Sequence, residues 1–599
     1  STSGFPRQNK RLRYGTGAVS GDEHDFRVRP GRGRDAGSGS ARRGKRLAAQ
    51  VRKAAARSGY TRSRRGGGCR SGTGRHGRGR AALATIRRGP AQRRVTVMAR
   101  IVRHKGAQFR SAPLARHIAY LERDGVTRDG REAMMFDASG DAADREAFAD
   151  RCADDRHHFR FIVSPEDAER LQDLRTFTRD LMGRLEKDLE TRLDWVAVDH
   201  WNTDNPHIHI LVRGVAEDGS DLVVDRAYMS EGVRGRASEI ATLELGPRNE
   251  QEIDASLVRE TGAERWTGLD ARLRERGGET GIVDLRPDPS SPPGRDRHLI
   301  GRAAKLEALG LATRLGPGIF EIDPRAETIL RDLGERGDII KGVHRAMRMQ
   351  GLSFDASRLA LHGEAERSGL VGRLVARGLD DELAGSAFAI VDGTDGRTHH
   401  IKFSDLQWTG DAKPGAIVEL RRWEGRDDGE HLSLALRSDL AVADQISARG
   451  ATWLDRELVA ARPVAATSGF GIDVRRAMAA RAEFLAGEGL ASRRDGKLVL
   501  APDLIETLRR RDLEAACETI AARTGLAHRP PATGDAVSGT YRERVSLASG
   551  RFAMIDDGLG FQLVPWRPAL DRHLGQHVTG TATAGGIDWS LGRNRGIAI

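Results

Sequence analysis

The sequence predicts an α+β protein: an antiparallel sheet with flanking helices, then a half in which a helical module and a small β-rich module occur twice. One observation behind this prediction is an apolar run at helical spacing over residues 171–189, followed by two segments with the composition of β-strands. A second is a repeated pattern that starts at Arg302 and again at Arg481. The chain has 599 residues, which is enough for about three to five domains.

Residues 1–97 are predicted to form a disordered basic arm. They are rich in Gly, Arg and Ser and carry a formal charge of +22, whereas residues 98–599 carry −9. Such a segment has too few apolar side chains to offset the entropy lost on ordering. Two interpretations stay open: an arm that binds nucleic-acid phosphates, or a solvated segment or translation-start artefact, because Met98 directly precedes the first well-patterned segment. The uneven charge excludes a uniformly basic nucleic-acid coat.

The cysteines and the hydropathy pattern limit the class of protein further. Cys69, Cys152 and Cys517 lie far apart and form no CxxC motif, which excludes a disulfide framework and a cysteine zinc site and favours a reducing compartment. No apolar run approaches the length of a membrane span, and the sequence does not start with an apolar signal core. We therefore expect a cytoplasmic protein without membrane insertion.

Residues 98–275 are predicted to form one α+β domain. The pattern indicates a strand at Ile101–Val102, a helix over Leu114–Glu122 and a strand over His158–Val163. Ser164 and the proline and acidic residues that follow it are typical of a helix start, so we expect a long helix from there to Leu189.

The chain beyond a linker at residues 286–297 contains the internal repeat. Arg302–Arg314 is echoed by Arg481–Arg493, and each copy continues into a two-stranded hairpin, a proline and another helix. This order resembles the end of a winged-helix module, and Gly-punctuated β-patterned segments follow each copy. We predict winged-helix-like modules at residues 298–345 and 472–512, and β-rich modules at residues 358–440 and 535–599.

The two segments after the long helix, Trp195–His200 and His207–Val212, are predicted to pair as antiparallel strands and carry the candidate metal ligands. Alternate side chains share one face of a strand, so His207 and His209 point the same way, and His200 ends the neighbouring strand. Three imidazoles could hold one divalent cation and leave positions open for Lewis-acid chemistry. The alternative is a chance, solvent-facing alternation of histidines. Nearby residues that could fix the histidine tautomers are Asp199, Asp204 and Asn202.

Three motifs in this part of the chain resemble those of a known family. They are His117-Ile-Ala-Tyr-Leu-Glu-Arg-Asp-Gly, then Phe161-Ile-Val-Ser-Pro-Glu-Asp, then a His-x-Asn-x₃-Pro-His-x-His pattern from His200 to His209. Their order and spacing resemble the conjugative relaxases and mobilisation nucleases of the HUH endonuclease superfamily, in the branch that includes the T-DNA border endonuclease. The likeness covers residues 98–275, and the C-terminal half resembles a domain of unknown function found fused to such relaxases. Many members have Asp where this chain has Asn202, which leaves the carboxylate that supports the histidines open.

The resemblance implies a relaxase-type sheet and a DNA relaxase that nicks one strand at a plasmid or mobile-element origin of transfer and rejoins it after conjugation. Tyr120 would be the nucleophile and would become joined to the 5′ phosphate, with His117 or an acidic group taking its proton. The histidines would hold Mg²⁺ or Mn²⁺, although an all-nitrogen ligand set leaves Zn²⁺ open. The phosphotyrosine conserves the phosphodiester energy, in agreement with the absence of a Walker-type loop from the sequence.

We also expect contacts with DNA outside the metal centre. Trp201 could stack on an unpaired base, whereas Trp195 is predicted to lie in the core. In resembling proteins the segment around Ser164 lies near the 3′ side of the DNA, and a helix cap is the alternative role for this serine. The residues predicted to bind DNA are Arg116, Arg123, Ser164, Glu166 and Trp201.

Two other functions remain as alternatives. One is a non-catalytic DNA-binding or DNA-packaging protein, which the basic arm and the repeated modules would suit. The other is a rolling-circle initiator or transposase of the same superfamily, but those often place the tyrosine after the histidine pair, and Tyr120 precedes it. The expected partners are single-stranded DNA at an origin of transfer, relaxosome accessory proteins and a secretion coupling protein, with export of the protein together with the DNA as a further expectation.

Overall fold

The structure is a computed structural model of the chain. It describes residues 77–87, 89–103, 114, 118, 121, 133–201, 205–287, 296–362, 369–381, 383–424, 430–460, 468–494, 497–583 and 586–591. The chain divides into two compact units, Ser1–Gly72 and Thr73–Ile599, and every described residue belongs to the second. Most of the predicted basic arm therefore lies outside the described residues. A search of the described helices finds none with both the length and the apolar character that a membrane span requires.

The last part of the predicted arm is folded, which corrects the prediction of disorder up to residue 97. Arg78 forms a β-bridge with Val224, Ile86 lies buried in the core, and the first strand begins at Val95. The few apolar side chains of this stretch pack against partners that lie far away in the sequence. The local Gly- and Arg-rich composition gives no sign of those partners.

Four antiparallel strands form the sheet of the first domain, in the order β1-β2-β4-β3. The strands are β1 (Val95–Arg103), β2 (His157–Pro165), β3 (Trp195–His200) and β4 (His207–Arg213). The predicted pairing of the last two strands is present and places His200 opposite His207. The helices are α1 (Arg145–Arg151), α2 (Leu174–Leu189) and α3 (Val233–Leu245).

The sheet separates two cores because side chains alternate along each strand. On one face, Phe159, Ile208 and Ile210 pack with apolar residues of α2 and α3. On the other face, the core consists of strand residues and of helical residues from the segment before β2. That second core includes Val196, Val198, Leu211, Leu114, Ile118 and Leu121. The helix predicted over Leu114–Glu122 is thus present at the three positions that the structure describes.

Helix α2 begins later than the sequence predicts. Its N-cap is Asp173, whose carboxylate accepts hydrogen bonds from the backbone N–H groups of Arg175 and Thr176. Ser164 instead lies in β2, paired with Thr96 of β1. This pairing commits the segment to an extended backbone, so the prediction that Ser164 caps a helix is wrong.

Two helical segments with β-hairpins follow in the C-terminal half. The first contains α4 (Glu250–Gly262), α5 (Gly268–Gly277), β5 (Ile282–Asp284), α6 (Arg297–Ala308), β6 (Ala312–Gly316), β7 (Ile319–Ile322) and α7 (Ala326–Met349). The second contains α8 (Val442–Gln445), α9 (Trp453–Ala460), α10 (Phe470–Gly487), β14 (Ala491–Arg494), β15 (Lys497–Leu500) and α11 (Leu504–Thr524). The winged-helix likeness stays a prediction. Leu269 and Leu273 of α5 pack in the core of the first segment, although the sequence places them within residues 98–275.

Each helical segment is built around a buried arginine–aspartate pair. In the first, Arg302 binds Asp270 through Nε and Nη2 at 2.7 and 2.8 Å. In the second, Arg481 binds Asp455 through the same two nitrogens, both at 2.8 Å. Both guanidinium groups also donate to backbone carbonyls of the loop before the helix that carries the aspartate. The repeat seen in the sequence thus reappears as the same polar contacts.

The two β-rich segments have the same strand order. The first β-rich module contains β8 (Leu359–His362), β9 (Val371–Asp381), β10 (Ser386–Gly393), β11 (Thr398–Phe403), β12 (Ile417–Glu424) and β13 (Glu430–Ser438). The second contains β16 (Ala536–Leu547), β17 (Gly550–Asp556), β18 (Phe561–Pro565), β19 (His577–Thr583) and β20 (Gly586–Trp589). The orders are β13-β12-β9-β10-β11-β8 and β18-β17-β16-β19-β20. Apart from the additional β8, the first strand of each module lies in the middle, between its second and fourth.

Candidate metal centre

The three predicted histidines meet on the second face of the sheet. One ligand nitrogen from each ring of His200, His207 and His209 lies within 4.8 Å of those of the other two. The ring centroids are 4.5 Å apart for His200 and His209, and 4.9 Å apart for His207 and His209. All three side chains are buried, with exposed fractions of 0, 9 and 3 %. The alternative of a solvent-facing alternation is therefore wrong.

Hydrogen bonding orients the His207 ring. Its Nδ1 lies 2.9 Å from the backbone oxygen of Asn205. A carbonyl oxygen only accepts, so Nδ1 carries the proton and the lone pair of the neutral ring is on Nε2. That Nε2 atom lies 3.1 Å from Nε2 of His209.

A hydrogen bond to the helical segment that covers the sheet orients the His200 ring. Its Nε2 lies 2.8 Å from the backbone oxygen of Leu121, which is itself fully buried. By the same reasoning, the lone pair of neutral His200 is on Nδ1. The contact ties the metal-centre strand β3 to the residue that directly follows Tyr120 in the sequence.

One pair of donor nitrogens has the spacing that a shared divalent metal ion requires. Two nitrogens that are each about 2.1 Å from one ion lie about 3.0–3.4 Å apart for coordination angles between a right angle and a tetrahedral angle. The distance of 3.1 Å between the Nε2 atoms of His207 and His209 falls in that range. Among the described residues, the group consists of histidines alone, without a carboxylate. The three histidines could thus hold a metal ion, and the nitrogen donors alone do not identify it.

Asp199, predicted to support a histidine, faces the other side of the sheet. Its carboxylate accepts hydrogen bonds from Nε of Arg175 at 3.2 Å and from Nε1 of Trp201 at 2.7 Å. Strand alternation explains this, because Asp199 and the flanking Val198 and His200 project from opposite faces. Trp201, predicted to stack on DNA, donates to this carboxylate and packs against the core beneath α2.

Several predicted site residues lie outside the residues that the structure describes. They are Tyr120, His117, Arg116, Arg123, Asn202 and Asp204. Two others have clear partners. The Ser164 hydroxyl donates to the backbone oxygen of Pro206 at 3.1 Å, beside the metal-centre strand β4, and Glu166 pairs with Arg259 at 3.2 Å on the surface.

Two groups that orient the histidines, and one that holds Asp199 on the opposite face, were not predicted from the sequence. The backbone oxygens of Leu121 and Asn205 orient two of the histidines, and Arg175 takes the carboxylate of Asp199. A backbone oxygen leaves no trace in a residue pattern. Arg175 lies two residues after the N-cap of α2, so its role depends on how that helix packs against the sheet.

Comparison with known proteins identifies the C-terminal half. A family model described as "Protein of unknown function (DUF3363)" matches residues 299–428 and 421–598. The two matches together span residues 299–598, which is 300 of the 599 residues. The chain belongs to the DUF3363 family. No curated protein and no solved structure matches the chain.

The DUF3363 match begins inside α6 and does not include the metal centre. The two parts nevertheless touch: Nη1 of Arg160 in β2 lies 3.4 Å from the backbone oxygen of Leu383, in the turn after β9. The description of the DUF3363 family names no mechanism. The histidine group is therefore the feature that bears on the chemistry.

Proposed function

We propose that this protein is a metal-dependent DNA relaxase, which nicks one DNA strand at an origin of transfer by tyrosine transesterification and later rejoins it. The single observation that carries the proposal is the buried group of three histidines on one sheet face, tied through Leu121 to the helical segment that contains Tyr120 in the sequence. The resemblance of three sequence motifs to HUH relaxases supports the same conclusion.

The centre has the donors that such a reaction needs. Three neutral imidazoles would leave a bound ion its full positive charge and open coordination positions. A divalent ion bound there would polarise a non-bridging oxygen of the scissile phosphate. Mg²⁺ or Mn²⁺ is proposed from the resemblance, while the nitrogen donors suit Zn²⁺ as well.

On the sheet face of the histidines, the exposed residues lie on the edge strand β1, whereas Ile162 and Arg160 of β2 are buried. The half formed by β3 and β4 is covered by the helical residues of the second core. On the other half, Met98 of β1 is 47 % exposed and lies in register with Ile162, which in turn pairs with His209. A single strand lying along this half would run beside the histidines.

Tyr120 is the proposed nucleophile. Tyr228 and Tyr541, the two tyrosines among the described residues, are 0 and 1 % exposed and cannot reach DNA. The Tyr228 hydroxyl also donates to Asp188 at 2.6 Å, and burial raises the pKa of Tyr228 well above its usual value. Of the tyrosines outside the described residues, only Tyr120 lies in a relaxase-like motif.

The proposed step conserves bonds and charge. The Tyr120 oxygen attacks the phosphorus, the bond from phosphorus to the 3′ oxygen of the upstream strand breaks, and that oxygen takes up a proton. The tyrosine proton passes to a neighbouring base, for which His117 is the candidate. Religation is the reverse attack by a 3′ hydroxyl on the phosphotyrosine, so no ATP is consumed.

The partners of the C-terminal half are proposed from the relaxase function. Accessory proteins of the relaxosome and a secretion coupling protein are the candidates for the DUF3363 region, and single-stranded DNA at the origin is the proposed substrate. If no metal-dependent covalent attachment to DNA is found, the alternative functions are a non-catalytic DNA-binding protein, or an initiator or transposase of the same superfamily.

The test is covalent attachment to DNA. Purified full-length protein is mixed with labelled single-stranded DNA from the candidate origin of its own replicon, in Mn²⁺ or in EDTA, and run on a denaturing gel. We expect a DNA-linked protein band that requires Mn²⁺ and is absent in Tyr120→Phe. The matched control is Tyr228→Phe, which removes a buried tyrosine of the same domain and should retain the band. A band that persists in Tyr120→Phe, or in EDTA, contradicts the proposal.

A further inference from the structure

Two arginines lie side by side on the sheet face of the metal centre. Arg100 of β1 and Arg160 of β2 are direct cross-strand partners, and Arg160 is in turn paired with Leu211 of β4. The neighbouring row on the same face contains Ile162 and His209. Rows on one face are about 6.6 Å apart along a strand. The arginine pair is therefore one row away from a metal-centre histidine.

Among the residues that the structure describes, no carboxylate is bonded to either arginine of this pair. Arg160 is 8 % exposed, and its hydrogen bonds run from Nε to Nε2 of His158 at 3.1 Å and from Nη1 to the backbone oxygen of Leu383 at 3.4 Å. Arg100 forms no ion pair with any residue that the structure describes. Like charges placed directly opposite each other on a sheet are unfavourable.

The electrostatics of Arg160 agree with this geometry. Burial, with added repulsion from Arg100, lowers the pKa of Arg160 to about 10. Among the described residues, the charge of Asp405 acts in the other direction and raises this pKa. A buried guanidinium without a bonded anion is costly to hold, and an anionic ligand would relieve that cost.

The DUF3363 region forms a wall beside the pair. The turn after β9 brings the Leu383 carbonyl to Arg160, and a Cβ atom placed on Gly385 would lie 3.8 Å from Nη1 of the same arginine. Asp405, which follows β11, belongs to the same end of the first β-rich module, because Ala387 at the start of β10 pairs with Phe403 at the end of β11.

We infer that Arg100 and Arg160 bind a backbone phosphate of single-stranded DNA beside the metal centre, and that the first β-rich module of DUF3363 forms one wall of this phosphate site. The inference rests on the proposed function for its choice of ligand. A guanidinium presents paired N–H donors that match phosphate oxygens. The site gives the DUF3363 region a direct part in holding the substrate strand.

The first test measures binding without chemistry. Full-length protein in EDTA is titrated against a fluorescent single-stranded oligothymidylate over a range of salt concentrations. Arg100→Gln, an exposed substitution, should weaken binding about fivefold and lower the salt slope by about 0.7, the value for one lost phosphate contact on a single strand. Arg160→Gln should have a similar effect, and Arg160→Lys should recover part of it. The matched control is Arg192→Gln, since Arg192 is highly exposed and lies before β3, away from this face.

The second test addresses the DUF3363 wall. The Asp405 carboxylate caps a short 3₁₀ turn by accepting from the backbone N–H of Gln407 at 2.9 Å, a role that asparagine also performs. Asp405→Asn therefore keeps the turn and removes a negative charge near Arg160. We expect binding to tighten about twofold, and the effect to vanish when Arg160→Gln is already present.

The outcomes separate this inference from the proposed function. Wild-type affinity and salt slope in both Arg100→Gln and Arg160→Gln overturn the phosphate site, as does a failure of the wild-type protein to bind the oligothymidylate. If the covalent adduct forms while these variants bind normally, the inference alone fails. If the variants lose affinity but no adduct forms with any origin strand, the relaxase proposal fails and the phosphate site stands.

Discussion

The histidine centre of the first domain and the arginine–aspartate pairs of the C-terminal half are equally buried but differ in how their polar groups are satisfied. Arg302 and Arg481 are completely buried, and each meets a carboxylate and backbone carbonyls that together use its donors. The histidines bring nitrogen lone pairs together and no carboxylate among the described residues.

The two regions therefore contain different kinds of buried polar group. An arginine–aspartate pair has no net charge, because each residue is the counter-ion of the other. When its hydrogen-bonding groups are also bonded within the fold, its role is structural. The histidines instead bring three ring nitrogens together without a carboxylate among the described residues, an arrangement that could hold a metal ion. The comparison therefore favours a structural role for the C-terminal pairs, whereas metal binding is the role proposed for the histidines. Substitutions test both roles.

The largest expected effect comes from removing a metal ligand. His209→Ala should abolish high-affinity binding of Mn²⁺ or Zn²⁺ and slow adduct formation about a thousandfold or more, because a metal ion contributes several kcal/mol to such a transition state. Calorimetric metal titration and the rate of adduct formation measure the two effects. His577→Ala, on the second β-rich module, is the matched control and should change neither. Wild-type metal affinity in His209→Ala would remove this histidine from the centre.

Substitution of a residue in a C-terminal arginine–aspartate pair should strongly lower stability and leave metal binding unchanged. Asp455→Asn leaves the Arg481 guanidinium buried without a counter-charge, which costs about 3–5 kcal/mol of unfolding free energy. Glu514→Gln, which removes one partner of an exposed pair with Arg510, should cost less than about 0.5 kcal/mol. Thermal or urea unfolding measures the difference. Loss of metal binding in Asp455→Asn would mean that the two regions are not separate in function.

The alkylation of cysteines can show which part of the protein Asp455→Asn destabilises. Cys152 lies in the core behind the metal-centre strands, and burial raises its pKa to about 12. Cys517 is buried in α11 against the second β-rich module. Both should resist alkylation in the native protein, and Asp455→Asn should expose Cys517 while Cys152 stays protected. Mass spectrometry of alkylated peptides reads this directly, and equal labelling of both cysteines would contradict a local effect.

The smallest effect is expected from Asp199, which is next to a candidate metal ligand in the sequence but faces the other side of the sheet. Because the Asp199 carboxylate binds Arg175 and Trp201, Asp199→Asn should lower stability by about 1–3 kcal/mol. Its metal affinity should stay within about threefold of the wild type, whereas loss of a residue that orients a ligand costs about 10–100-fold. A metal titration of this variant decides between the two roles.

The sequence predicted that the three histidines lie together, because their placement depends on local alternation. His207 and His209 share a strand face by their spacing alone, and the adjacent strand brings His200 opposite His207. The same rule, applied to β1 and β2, would have placed Arg100 and Arg160 on that face once the strand register was known. That register depends on which strands pair, which a residue pattern does not give.

The parts that the sequence did not predict depend on distant packing. Ser164 has the residues of a helix start, but pairing with β1 overrides that preference. Ile86 follows a Gly- and Arg-rich stretch and is buried only because α3 packs nearby, with Ile86 beside Gly235. Leu269 packs with the C-terminal half because the fold places α5 beside α6.

The chemical identity of the DNA–protein link decides whether Tyr120 is the nucleophile. Adduct formed in Mn²⁺ is digested with protease and nuclease, and the peptide that retains a nucleotide is sequenced by mass spectrometry. We expect a single peptide containing Tyr120, joined through its phenol oxygen to a 5′ phosphate, with a free 3′ hydroxyl on the released strand. A link at another residue, or a 3′-phosphoryl link, would contradict the assignment of this chain as a relaxase built on the His200, His207 and His209 centre.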